Sequence, residues 1–198
     1  ITAMSDSLGR IHLLSLHSST NIILFAAHGS TVQRCTLWYT FGGELIGGGV
    51  MSVAREKFRQ VLSRPSCTLA ANIFDPLSAN IANHLGYEVC VLSGSVGKVA
   101  NLGVPDIVLS TLTDVMDHCR RIIRMTDVSL MIDAEDGFGN AVNVMRTVRE
   151  AEQAGVSGIE IEDNVVVRKF GVENPGLVSK EEQVGKLQAD VAARTDPT

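Results

Sequence analysis

From position 51 onward, short apolar runs alternate with amphipathic segments, and this rhythm limits the possible folds more than any single motif. "SVAREKFRQVLSR" places Val53, Phe58, Val61 and Leu62 on one helical face. The run "CTLAANIF" ends at Asp75. The helical pattern "DPLSANIANHLG" then begins, with Asp75 as N-cap, Pro76 in its first turn, a stripe of Leu77, Ile81 and Leu85, and Gly86 as its stop. "EVCVLSGS" is a second run and ends in a Ser/Gly turn. "TLTDVMDHCRRIIR" is a helix with basic residues in its last turn, where they complement the dipole. "VSLMIDAE" is a third run, followed by a helix with the stripe Val144, Met145, Val148 and Ala151 that Gly155 closes. "SGIEIED" is a fourth, and Ser179 with Glu182 forms a capping-box pattern before "QVGKLQADVAAR".

Continuous apolar runs interleaved with helices indicate an α/β fold with a parallel sheet covered by helices. A (β/α) barrel and an open doubly wound sheet both satisfy the pattern. The polar residues separate them, because Asp75, Ser93 to Ser95, Asp133 to Asp136, and Glu162 with Asp163 all fall where a run ends. In a barrel those ends meet on the face that carries active sites.

"DAEDGFGN" sets three acids within four residues. Like charges so close repel one another, and a cation would resolve the conflict. Hard divalent ions such as Mg²⁺ are held by oxygen, often by one or two carboxylates plus water and substrate. The plainer reading is an acidic loop with Asn140 capping the next helix. Asp75 before Pro76 is likewise an ordinary N-cap pattern, and Ser93-Gly94-Ser95 an ordinary turn. "GSVGK" resembles a phosphate loop, but Leu92 and Val99 break the pattern.

"FDPLSANIA", "LSGS", "DAEDGFGNA" and "GIEIED", in this order and spacing, resemble the isocitrate lyase/phosphoenolpyruvate mutase superfamily. "NAVNVMRTV" and "EDNVVVRKFG" look most like its oxaloacetate decarboxylase branch. The resemblance implies a partial TIM-type (β/α) barrel, about the first four βα units of a (β/α)₈ barrel that typically takes ~250 residues. It implies Mg²⁺-dependent decarboxylation of oxaloacetate or a related 2-oxo acid through an enolate. Carried over, Asp133 is the acid that touches the metal, while Asp75, Glu135 and Glu162 hold metal-bound waters. Ser93, Gly94 and Ser95 form the turn whose amides and hydroxyl grip the substrate carboxylate, with Ser93 also counted as catalytic. Gly137 and Gly139 would let the acidic loop approach the substrate.

Two departures bear on this resemblance. Glu135 stands where the family commonly has Asp. Phe170, in "RKFG", replaces the cysteine of the lyase branches, which argues against cleavage of a methylisocitrate-type substrate. A carbon–carbon lyase of the same superfamily and a catalytically incomplete fragment are the alternatives. The family's later strands carry an arginine and further polar residues, and they fall beyond the portion matched here.

Residues 1 to 50 contain only four charged residues, Asp6, Arg10, Arg34 and Glu44, and resemble nothing in this family. Their apolar stretch is too polar for a membrane span and lacks the basic start of a signal peptide. Met51 is expected to be the native start, with Ile1 to Val50 as translated upstream sequence that is poorly ordered or loosely packed. A net charge of −5 gives no reason to expect nucleic acid or a membrane as partner. Cys35, Cys67, Cys90 and Cys119 form no metal-binding spacing, and a reducing cytoplasm is expected. His84, His118 and the Arg120, Arg121, Arg124 group are expected to face solvent. A homo-oligomer is expected from family habit alone.

Overall fold

The computed structural model describes residues 52–165 and 176–196 in full, and the backbone of 4–5, 11–12, 20–25 and 36–41. The Phe170 reading lies outside the described residues. Four short strands come first: β1 (Met4–Ser5) pairs antiparallel with β2 (Ile11–His12), and β3 (Thr20–Phe25) with β4 (Thr36–Phe41). The second pair sets Ile23 opposite Trp38. β-Branched and aromatic residues in both strands favour it, although the sequence reading places no regular element there.

The main body follows the expected alternation. Its elements are α1 (Val53–Leu62), β5 (Ala71–Asn72), α2 (Pro76–His84), β6 (Val89–Leu92), α3 (Gly94–Leu102), α4 (Leu112–Ile123), β7 (Ser129–Asp133), α5 (Ala141–Ala154), β8 (Gly158–Glu160) and α6 (Lys180–Ala193). Strands β5-β6-β7-β8 form one four-stranded sheet in sequential order, and every pairing is parallel. Sequential parallel order is that of a partial (β/α) barrel, since each helical crossover returns the chain to the next position along the sheet. Leu130 and Ile132 of β7 are fully buried, with Cys90, Met116, Cys119 and Ile122 around them.

The helix caps anticipated from sequence form. Asp75 and Asn140 each accept from the backbone of their first turn and are answered by Ser78 and Asn143. Thr111 and Asp114 make the same reciprocal cap on α4. The α5 stripe packs as expected, with Val144, Val148 and Ala151 buried.

Elsewhere the fold corrects the reading. On α2 the small residues Ala79 and Ala82 face the core, while Leu77, Ile81 and Leu85 are exposed. Close helix–sheet approach selects the small side chains here, and hydrophobic size alone pointed to the wrong face. Val53 of α1 is exposed too, and Val61 is the buried residue of that helix. His118 is buried at 5% exposure rather than solvent-facing. Arg121 and Arg124 do face solvent as expected, and the 39% exposed Arg120 side chain bonds Asp117 and Glu150 at the surface. The segment read as a Ser/Gly turn is the start of α3, with Ser93 as its N-cap.

Among the described residues, no helix is long and apolar enough to cross a membrane. Residues 52 and 196 lie close together. Asp196 accepts from the Ser52 amide and from Arg55 at 2.5 Å, while Arg55 also donates to the carbonyls of Val156 and Glu152. This ties the ends of α1, α5 and α6 into one buried polar knot.

Candidate metal and substrate site

Strand β7 ends on Asp133, and both oxygens of that carboxylate are held by backbone. Oδ1 accepts from the Glu135 amide at 2.8 Å and Oδ2 from the Gly94 amide at 3.1 Å. The second bond crosses to the N-terminus of α3, whose unsatisfied N–H groups and dipole favour an anion. A Cβ on Gly94 would lie 2.7 Å from Asp133 Oδ2 and 3.0 Å from Glu135 Oε1. Only glycine lets the helix end reach both carboxylates.

The turn after Asp133 is strained. Glu135 (φ 54°) and Phe138 (φ 62°) occupy the left-handed region without being glycine, a conformation that costs on the order of 1 kcal/mol or more each and persists only where surroundings enforce it. The enforcing contacts are explicit. Buried Thr147 donates to the Gly137 carbonyl at 2.9 Å, and buried Lys186 donates to the Asp136 carbonyl at 3.1 Å. Gly137 and Gly139 also have positive φ, and a Cβ on them would strike Val144 at 2.5 Å and Asn143 at 2.6 Å. These glycines therefore let the turn lie on its own helix α5. The glycine that makes the close approach to the carboxylates is Gly94.

The charge conflict in "DAED" is resolved largely from within. Lys98, from α3, places its ammonium on the Glu135 carboxylate and on Asp106 Oδ1 at 2.9 Å. Lys186, from α6, stands 3.8 Å from Asp136 Oδ2. Both lysines are only 3% exposed. Neither stood out in the sequence, because each is a single lysine in an otherwise ordinary helix. Their spacing gave one clue: Lys98 follows Gly94 by four residues and therefore shares its helical face.

Burial pushes the Glu135 carboxyl above the usual range, Lys98 pulls it back, and the Asp133 and Glu162 charges add to the rise. At Lys98 the cost of burying the ammonium is outweighed by Glu135 and Asp106, which hold it above an ordinary lysine. The two shifts favour opposite states of the pair. The close ammonium–carboxylate contact decides for the charged pair at neutral pH, because a neutral Glu135 would leave the buried Lys98 with exposed Asp106 alone.

Ser93, Gly94, Lys98, His118, Asp133 and Glu135 line one cleft. The Ser93 hydroxyl makes no cap bond and lies 3.4 Å from that of Ser95. Burial lowers the His118 pKa, Arg121 lowers it further, and the Phe74 backbone and Asp75 oppose them. Glu162 joins through its amide, which donates to the Glu135 carbonyl at 2.6 Å, and through its charge. Asp75 caps α2, its Oδ1 accepting from the Ser78 amide at 2.7 Å, and its charge reaches His118 in the cleft wall. Of the four acids expected at a metal, Asp133 and Glu135 line the cleft, and Glu162 acts on Glu135 through its amide and its charge.

These residues fit a hard cation held by one carboxylate. Asp133 bonds only N–H donors and keeps lone pairs on both oxygens. Ser93, Asn101, Ser110 and Glu135 bring further side-chain oxygens to the cleft. Among the described residues, no three His, Cys, Asp or Glu side chains converge to cage an ion by themselves. Water and substrate would complete the coordination, as is common for Mg²⁺.

The description of the phosphoenolpyruvate phosphomutase family matches residues 58–198. The chain belongs to that family. It is 44% identical over 146 residues to an oxaloacetate decarboxylase of Pseudomonas fluorescens (strain SBW25), covering 74% of this chain and 50% of that one. To an oxaloacetate decarboxylase of Rhodopseudomonas palustris (strain BisB18) it is 46% identical over 144 residues, covering 73% and 50%. The fold superposes on a phosphonopyruvate hydrolase solved with oxalate and Mg²⁺ (TM-score 0.65, 31% identity, 74% and 50% covered) and on an oxaloacetate acetylhydrolase (TM-score 0.63, 27% identity, 71% and 48% covered). The chain spans about half the length of the curated relatives it matches. As a phosphoenolpyruvate phosphomutase family chain, it carries the strand ends β5 to β8 on which this site is built.

Proposed function

We propose that this chain carries the metal-binding part of a Mg²⁺-dependent decarboxylase acting on oxaloacetate or a close 2-oxo acid. The observation that carries the reading is Asp133, a carboxylate at a strand end, held by two amides and facing the N-terminus of α3. When bound, Mg²⁺ supplies positive charge against which electron density from the breaking carbon–carbon bond accumulates. Asp133 would hold the ion, with Glu135 and Glu162 orienting its waters. Amides early in α3 and the Ser93 hydroxyl, which makes no cap bond and only a long contact to Ser95, suit the substrate carboxylate. The Gly94 amide does not, being taken by Asp133. His118 and buried Leu92 help keep bulk water from the inner wall of the cleft. The named relatives support oxaloacetate as substrate, and the neighbour solved with oxalate and Mg²⁺ supports the metal.

The test is CO₂ release from oxaloacetate by the full protein, before and after chelation and with Mg²⁺ restored. Asp133→Ala should abolish Mg²⁺-dependent release while the circular dichroism spectrum stays that of the parent. Release near the parent level would reject the metal assignment. Cleavage of 2-methylisocitrate faster than decarboxylation would instead favour the lyase reading.

A further inference from the structure

Lys98 is the sole charged side chain of α3, and the fold spends it inside the acidic cleft. It lies one helical turn beyond Gly94, whose amide holds Asp133. Its side chain is 4% exposed and that of Glu135 10%, so salt screens their attraction little. Its second partner, Asp106, is 46% exposed, whereas Glu135 lines the cleft. Two of the three ammonium hydrogens are thus used, one by an inner and one by an outer carboxylate.

This arrangement sets two cations against each other. A divalent ion at Asp133 needs Glu135 for its waters, and Glu135 is the inner partner of Lys98. We propose that Lys98 is a positioning residue that sets the divalent-metal affinity of this site: its ammonium competes with the metal for Glu135, and Asp106 retains the ammonium when the metal wins. The effect is to weaken retention of bare metal, so that the ion is held firmly only once an anionic ligand adds its own oxygens. The inference rests on Asp133 being the metal site.

Mn²⁺ is the probe, with free ion counted by electron paramagnetic resonance as it is titrated into the full chain. Lys98→Met should bind Mn²⁺ at least roughly tenfold more tightly than the parent, because Glu135 is released to hold the ion's waters. Lys98→Arg, which keeps the charge, should stay within about threefold. The gain must vanish in a Glu135→Gln background, since the competition runs through that carboxylate. A purely structural role for Lys98 would lower affinity on substitution. Unchanged or weaker binding by Lys98→Met overturns the proposal, as does an equal gain in the Glu135→Gln background. Lys98→Met alone strands a buried carboxylate and could fail to fold. The comparison of Lys98→Met/Glu135→Gln with Glu135→Gln then decides: equal affinities support the proposal and a tenfold difference overturns it. Asp133→Asn separates the two layers. If it leaves Mn²⁺ binding intact, the metal site itself is misplaced and both readings fall. If it removes binding while Lys98→Met brings no gain, only the Lys98 inference falls.

Discussion

The Gly94 amide donates to Asp133 Oδ2 at 3.1 Å, joining residues 39 apart in sequence across two neighbouring strands. This one bond fixes the carboxylate at the end of β7 relative to the helix that follows β6. Gly94→Ala would place a methyl 2.7 Å from that oxygen. The variant is expected to lose about 1–3 kcal/mol of stability from overpacking. It should also lose most of its Mn²⁺ affinity, because Asp133 must turn away. Urea denaturation and Mn²⁺ titration read the two effects separately. Parent-like metal binding would show that the contact does not position the acid.

Lys186 supports the same turn from the opposite side, through the Asp136 carbonyl and carboxylate. Lys186→Met leaves Asp136 buried without a counter-ion and should destabilise by about 3 kcal/mol. Adding Asp136→Asn should recover a large part of that loss, since the stranded charge is gone. Chemical denaturation of both variants checks the pair. Equal losses in the single and double variants would place the role of Lys186 elsewhere.

Asp190 on α6 gives a pH dependence of known sign. Burial pushes its carboxyl up to about 6, against the pull of Arg194 and with help from Glu152. An acid raised in the folded state lowers stability wherever it must ionise. The penalty is fully present above pH ~6 and fades as pH falls toward ~4, the unfolded value. Asp190→Asn should therefore stabilise the protein at pH 7 by on the order of 1–3 kcal/mol and bring little gain near pH 4. Stability measured across that range would contradict the account if the variant gained nothing at pH 7.

Thiol reactivity should divide by depth. Burial raises Cys90 to about 11 and Cys119 to about 12, while Cys67 is exposed. Alkylation by iodoacetamide at pH 8 should mark Cys67 rapidly and the other two only after unfolding. Peptide mass spectrometry reads this directly. Early labelling of Cys119 would mean that the α4–β7 packing opens readily.

The sequence by itself determined the βα rhythm from β5 to α6 apart from α3, the helix caps at Asp75 and Asn140, and the acids at the strand ends. These features are local: a cap reads three residues ahead, a helical stripe repeats every three or four, and a strand ends where its apolar run ends. Gathering Asp133, Glu135 and Glu162 followed from them once the strands lay parallel. The tertiary structure alone decided which face of α2 was buried, because Ala79 and Ala82 fit where Leu77 and Ile81 would hold the helix off the sheet. It also decided that His118 turns inward. Most of all, it supplied the cations for the acidic turn. Lys98 lies 37 positions before Glu135, and Lys186 lies 50 after Asp136. A buried ion pair depends on where two distant backbones place their ends in space, and no pattern of nearby residues encodes that distance.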